Sequence, residues 1–299
     1  MSAMRQEIPR VSVGMPVYNG ERHLRAAIES ILGQTFRDLE LIISDNASTD
    51  GTESLCREFA EKDPRVRYYR NPKNLGISEN YNVVFRRANG RYFKWASSND
   101  FCDRHFLEAC VKVLEERPDA VLVYPRTRLI RGELSNMEDF EDGLNLTQER
   151  ACERFRAFYE RIQRIHLNNV MNGLVRVEVL RRTPLIVPYR GSDVVLMNEV
   201  TLYGKFVEVP EFMFFRRMDR YSATTMQSRE EVTRYYDPEQ RRRMVFQRWK
   251  RYRGRLSAVV RAPLPVSEKV CLYRFLWQCF LRDWGYLARE IREAAAAGP

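Results

Sequence analysis

The sequence predicts an α/β protein with a mostly parallel sheet, helices on both faces and a C-terminal helical extension. Three observations predict it. Over residues 11–124, short apolar runs alternate with amphipathic runs at helical spacing. Right-handed crossovers between such strands bring their ends to one edge, and polar residues (Asp45, Asn74, Asp100) stand at three of those ends. From Arg229 onward the pattern is helical, broken near Pro263 and Pro265.

The elements follow in order. Residues 11–15 read as a buried strand stopped by Pro16, and Val17-Tyr18-Asn19-Gly20 as a turn. Residues 21–32 carry Leu24, Ala27, Ile28, Ile31 and Leu32 on one helix face. Residues 39–44 form a second strand ending at Asp45, and a helix then runs to about Glu61 with Asp50 at its N-cap. Residues 65–70 are a third strand, followed by a loop, and Ser78 is placed to cap a helix to Ala88. Residues 91–95 make an aromatic-rich strand that gives way to Ser97-Ser98-Asn99-Asp100. Asp103 suits the N-cap of a helix over 104–116, and 120–124 is a fifth strand.

After Tyr124 the alternation changes. Residues 121–126 and 127–134 read as neighbouring extended pieces, and Thr147-Gln148-Glu149-Arg150 as a capping box for a helix to about Arg164. Residues 170–175 read as a strand. Ser192 or Asp193 starts a helix through Leu202. Residues 206–209 and 212–216 read as strands separated by Pro210.

The chain of 299 residues carries a formal charge of +10. Its location matters more than its size. Residues 240–262 hold nine basic side chains and no acidic one, so the remainder is close to neutral. Met244, Val245, Phe246, Trp249, Tyr252 and Leu256 interleave with those arginines, the composition of a helix lying on an anionic membrane surface. A solvated helix face is the plainer reading of the same run. No aromatic-rich single-strand motif accompanies it, which argues against nucleic acid. Leu272, Phe275, Leu276, Cys279, Phe280, Trp284 and Leu287 recur at helical spacing and read first as a packing stripe, with a second copy of the chain as another occupant. The six cysteines show no C-x-x-C pair and the three histidines lie far apart. Reduced thiols and a cytoplasmic location are the expectation, with no zinc site.

By Asp100 the motifs form an ordered series. Pro16-Val17-Tyr18-Asn19, Ser30-Ile31-Leu32-Gly33-Gln34-Thr35-Phe36, Leu41-Ile42-Ile43-Ser44-Asp45-Asn46-Ala47-Ser48-Thr49-Asp50-Gly51, Asn74-Leu75-Gly76 and Ala88-Asn89-Gly90-Arg91-Tyr92 together resemble the opening of a family 2 glycosyltransferase. The resemblance is strong over 11–124 and weaker to about Arg217. It implies a Rossmann-like GT-A fold and a metal-assisted, inverting hexosyl transfer from a nucleotide-diphosphate sugar to an acceptor hydroxyl. On that reading residues 1–125 are the nucleotide-sugar-binding half, 126–217 the acceptor-binding half of the same domain, and 218–299 a basic helical extension. The acceptor is a glycan, a lipid-linked sugar or a small molecule.

The resemblance also implies site residues. Asp45 matches the carboxylate that receives the base N–H of uracil or thymine. Pro16, Val17, Tyr18, Asn19 and Glu21 match base and ribose contacts, with Asn74, Gly76, Ser98 and Asn99 completing the nucleotide side. Asp100 matches the aspartate that holds Mg²⁺ or Mn²⁺ on the diphosphate. Asn99 departs from the family, which usually has a second acidic residue there, and one carboxylate fewer weakens a hard-cation site. An inverting transfer needs a base, and Gly191-Ser192-Asp193 resembles the segment that carries it, so Asp193 is the candidate and Glu199 the fallback. Asn172, Arg216 and Arg217 are candidates for diphosphate or acceptor contacts. Two competing readings are a sugar nucleotidyltransferase, which would need a Gly-rich, Lys-containing loop after the first strand, and a non-catalytic binding protein on the same fold.

Overall fold

The computed structural model describes residues 8–218, 233, 235–239 and 245–296. Four parallel strands, β1 (Val11–Val17), β2 (Leu39–Asp45), β3 (Val66–Arg70) and β4 (Tyr92–Trp95), lie in the order β3-β2-β1-β4. The sheet continues through β8 (Leu174–Arg176), which is antiparallel to both β4 and β6 (Ala120–Ile130). Strand β9 (Lys205–Arg217) runs parallel to β6. The two-residue β5 (Phe101–Cys102) closes the far edge against β9, and β7 (Met137–Phe140) pairs with β6.

Every residue of β1 and β2 is buried, because helices cover both faces. Leu41 and Ile43 join a cluster with side chains of α1 (Glu21–Leu32), α2 (Thr52–Lys62) and α4 (Phe106–Glu116). Ile42, pointing the other way, joins α3 (Ile77–Arg86), α5 (Ala151–Ile165), α6 (Val177–Leu180) and α7 (Ser192–Val200). The C-terminal helices α8 (Gln247–Arg261) and α9 (Val266–Ala296) pack Ala258, Val259, Leu272 and Leu276 against Ala151 and Phe155 of α5. Leu287 and Cys279 are buried as the packing stripe requires, whereas Trp284 is 48% exposed.

Several sequence expectations give way. Strand β1 continues through Pro16, which lies opposite Ser44, and ends at Val17. Ser78 does not cap α3. It sits inside the helix, and the turn before it is made by Gly76 at φ 79°, where a Cβ would strike the carbonyl of Tyr236. Asp103 stabilises the turn ahead of α4 instead, its carboxylate accepting the His105 N–H at 2.8 Å. The capping box at Thr147 does not form, and Glu268 from α9 accepts the Cys152 N–H at 2.8 Å. The two extended pieces after Ala120 are one strand, β6. The two pieces around Pro210 are also one strand, β9, because pairing with β6 is irregular near Pro125 and Arg126 and leaves room for a proline. Residues 169–172 are a 3-10 turn, with β8 only after it.

Among the described residues no helix is long and apolar enough to cross a membrane. All six cysteines are free thiols. Arg241, Arg242, Arg243 and Met244 of the basic run lie outside the described residues, as does the expected onset of helix at Arg229.

Candidate active site

The carboxyl ends of β1 and β2 face a cavity of about 1170 Å³. Buried asparagines hold those ends. Asn80 Oδ1 accepts the Ser44 hydroxyl at 2.7 Å, and its amide donates to the Ser44 carbonyl at 3.0 Å. Asn46 donates to Asn74 Oδ1 at 2.7 Å, and the same oxygen accepts the Gly76 N–H at 2.9 Å. The wall from β1 includes Pro16, Val17, Tyr18 and Asn19, and Tyr18 is 50% exposed. Asn19 adopts φ 49° and anchors its turn by accepting the Thr49 N–H at 2.9 Å. Asn74, Ser98 and Asn99 also line the cavity.

Asp100 and Asp193 line this same cavity, although 93 positions separate them. Asp100 stands in the turn between β4 and β5. One of its oxygens accepts the Arg217 backbone N–H at 2.9 Å. Burial pushes its pKa up against the opposing charges of Arg216, Lys94 and Arg217. Asp193 lies in the first turn of α7 and accepts a hydrogen bond from the Asn168 amide at 3.0 Å. Tyr81 also lines the cavity, its pKa raised to about 12 by burial and, secondarily, by the Asp100 and Asp193 charges.

Asn172, Arg216 and Arg217 complete the set. Arg216 donates to Asn169 Oδ1 at 2.6 Å. Arg217 lies over the Phe101 ring, and its Nε is buried without a hydrogen-bond partner. Behind Asn169 stands Asp142, only 1% exposed, which accepts the Thr127 hydroxyl at 3.3 Å. Burial pushes Asp142 up to about 7. The Asn169 amide favours its charged form, yet neither Asn169 Nδ2 nor Asp142 Oδ1 makes a well-shaped hydrogen bond.

Four candidates fall outside the cavity lining. Asp45 is fully buried, and its carboxylate already accepts from the Ser48 N–H, the Tyr68 hydroxyl and the Arg70 guanidinium, each at 2.8 Å. Glu21 clamps the start of α2 by accepting the Gly51 N–H at 3.0 Å, while Asp50 accepts the Glu21 N–H at 3.2 Å. Gly76 serves the turn described above. Glu199, the fallback base, is turned away into an ion pair with Arg261 at 2.8 Å.

Sequence reasoning missed several residues. Lys94 is 1% exposed, lies over the Phe106 and Phe214 rings, and donates to the Asn172 carbonyl. Burial lowers its pKa. A lysine flanked by Phe93 and Trp95 in a strand was the available signal. His166 lines the cavity at φ 56°, directly after α5. Tyr81, Asn168, Tyr235, Tyr236, Arg251 and Arg255 line it too, and nothing in their spacing announced that.

A model of glycosyl transferase family 2 matches residues 12–183. The chain belongs to glycosyl transferase family 2. Among its family relatives, a chondroitin synthase of Escherichia coli is 29% identical over 214 residues. That match takes in 68% of this chain and 30% of the relative, so the family 2 chain spans under a third of that protein's length. Among solved structures, residues 1–349 of S. aureus TarS in complex with UDP-GlcNAc superpose with a TM-score of 0.66 at 16% identity, over 91% of this chain and 72% of that one. The mannosyltransferase PcManGT from Pyrobaculum calidifontis, in complex with GDP-Man and Mn²⁺, gives 0.53 at 15% identity, over 97% and 87%. The family 2 fold is therefore the GT-A arrangement that the motif series implied.

Among the described residues no three His, Cys, Asp or Glu side chains cluster as a cage for a metal. The donor set still fits a hard divalent cation. Asp100 has one oxygen engaged with the Arg217 N–H, and Mg²⁺ often takes one or two carboxylates with phosphate oxygens and water for the rest.

Proposed function

We propose that this chain transfers a hexosyl group from a UDP- or dTDP-sugar to an acceptor hydroxyl with inversion. The observation that carries the reading is the presence of Asp100 and Asp193 in the lining of one cavity. Asp193 takes the proton of the acceptor hydroxyl. The acceptor oxygen forms its bond to the anomeric carbon as the anomeric C–O bond to the diphosphate breaks, and the electron pair leaves on the β-phosphate oxygen. Asn168 holds the Asp193 carboxylate in place for that step. A bound Mg²⁺ or Mn²⁺, held by Asp100, would neutralise charge on the departing diphosphate. Arg216 and the unpartnered Nε of Arg217 suit the same diphosphate oxygens.

Asp45 remains the expected partner of the base N–H on this reading, and receiving a base there requires its bonds from Tyr68 and Arg70 to open, since neither Asp45 nor Arg70 lines the cavity. The Pro16–Asn19 wall, Asn74, Ser98 and Asn99 belong to the nucleotide side on this reading. The test is sugar transfer from a UDP- and dTDP-sugar panel, with and without Mn²⁺. Donor turnover that persists in Asp193→Ala and in Asp100→Ala sinks the assignment. Tight nucleotide binding without turnover on any donor would favour the non-catalytic alternative.

The membrane reading extends from the basic run of 240–262 to α9. Arg255 of α8 is buried and Arg251 lines the cavity, whereas Arg248, Arg253 and Arg261 of the same helix are exposed. On α9, Val266, Val270, Tyr273, Trp277, Leu281 and Trp284 form an exposed stripe at helical spacing. We place an anionic lipid surface against that stripe, where Trp and Tyr suit the interface. Co-sedimentation with phosphatidylglycerol vesicles that is unchanged in Trp277→Ser/Trp284→Ser refutes it. Self-association lost in the same variant would put a second copy there instead.

A further inference from the structure

The cavity is lined by five arginines (Arg190, Arg216, Arg217, Arg251 and Arg255) but only two carboxylates, Asp100 and Asp193, among the described residues. The donor diphosphate accounts for part of this excess on the proposed reading. Arg216 and Arg217 lie on β9, where the Arg217 backbone also holds Asp100. The other three belong to a different side. Arg190 directly precedes the Gly191 turn into α7, and Arg251 and Arg255 project one helical turn apart from α8.

These side chains are expensive to leave unpaired. Arg255 is 7% exposed, and its Nε donates to a neutral partner, Asn198 Oδ1, at 3.2 Å. Its guanidinium lies over the Tyr159 ring at 4.7 Å. Arg251 packs on Gly191, where its Cδ would be 3.2 Å from a Cβ added there. Neither has an ion pair among the described residues, in contrast to Arg261 on the same helix. Burial pushes the pKa of both below the ordinary arginine value; at Arg251 the like charges of Arg248 and Arg190 act in the same direction and Glu290 opposes them. A buried, uncompensated charge normally demands a partner.

We propose that Arg251 and Arg255, with Arg190 at the rim, form an anion subsite for the acceptor, so that the hydroxyl presented to Asp193 belongs to a molecule carrying a phosphate or carboxylate group. The inference rests on the glycosyl-transfer reading above. It assigns a role to the basic run that composition alone left between a solvated face and a membrane contact. Arg251 and Asp193 flank the same Gly191-Ser192 turn, so an anion held by α8 would place its neighbouring hydroxyls near the base. Positioning by such a clamp is a recognised source of rate.

The experiment uses the full chain saturated with UDP and Mn²⁺, so that the donor diphosphate site is occupied. Inorganic phosphate and, separately, glucuronate are then titrated and followed by thermal shift and tryptophan fluorescence. The expected result is a second anion site whose affinity falls about tenfold or more in Arg251→Gln, the loss of one charge-assisted partner. Arg255→Lys, which keeps the charge and guards against misfolding, should weaken it less. Preference for phosphate points to a phosphoryl-bearing acceptor, and preference for glucuronate to a uronate. No anion binding above the UDP–Mn²⁺ baseline overturns the inference, as does equal binding by wild type and Arg251→Gln. Anion binding seen only without UDP also overturns it, because the anion then occupies the donor site. Failure of UDP itself to bind would instead strike at the glycosyl-transfer reading.

Discussion

The edge of the parallel sheet and the inward face of α8 handle buried charge in opposite ways. Along β2 each buried carboxylate is answered. Asp45 meets Arg70 and Tyr68, Glu40 meets Arg67, and the asparagines satisfy one another. On α8, one arginine is answered by Glu199, while Arg251 and Arg255 form no ion pair among the described residues. Paired charges hold a shape that exists without ligand. Unpaired ones store an attraction that a ligand can release.

The largest effect that tests this contrast is catalytic. Asp193→Ala should lower sugar transfer by about 10³-fold, within the span for a lost general base, while UDP still raises the melting temperature. Loss of nucleotide binding in that variant would make Asp193 a structural residue. Next comes Arg261→Ala, which strands the buried Glu199 carboxylate and should destabilise the fold by about 3 kcal/mol in urea titrations. Burial already raises the Glu199 pKa. A raised carboxyl pKa means that stability falls as pH climbs through the glutamate range, so the deficit of the variant should shrink toward pH 4. Arg251→Ala should show a smaller loss, because it removes a cation that forms no ion pair among the described residues.

A smaller effect concerns Asp142, whose pKa of about 7 also lies above its unfolded value. It therefore favours folding at acid pH, and that advantage disappears as pH rises from about 4 to 7. Asp142→Asn should be more stable than wild type at pH 8 by a net of about 2 kcal/mol, after the weakened bond from Thr127 is subtracted, and should lose that lead by pH 5. Smallest of all, Trp277→Ala on the exposed stripe should leave stability within about 0.5 kcal/mol, while altering vesicle or self-association behaviour.

What the sequence disclosed follows from the same contrast. Periodicity located α1, α2, β2 and β3 to within a residue or two, because their apolar spacing is set by burial on known faces. Strand ends were legible through Asp45, Asn74 and Asp100. Local chemistry was less legible where a distant partner intervened. Glu268 displaced the Thr147 capping box, and irregular pairing with β6 let Pro210 stay within β9. The direction of α8 was illegible. A helix with basic and aromatic residues around its circumference gives no period by which to choose its packed face, and the choice fell to Glu199, Asn198 and the Gly191 turn. Lys94 was hidden in the same way, since its partners are two rings and a carbonyl from other segments.

Glu268 has a practical consequence for anyone shortening this chain. It stands in the first turn of the last helix, holds Arg150 at 2.9 Å and supplies the acceptor for the opening turn of α5. A fragment ending after β9 would lose that acceptor together with the cover over Phe155. Trimming to the family-matched core should yield insoluble or poorly cooperative material, and chimeras that exchange acceptor preferences should carry the last two helices as a unit.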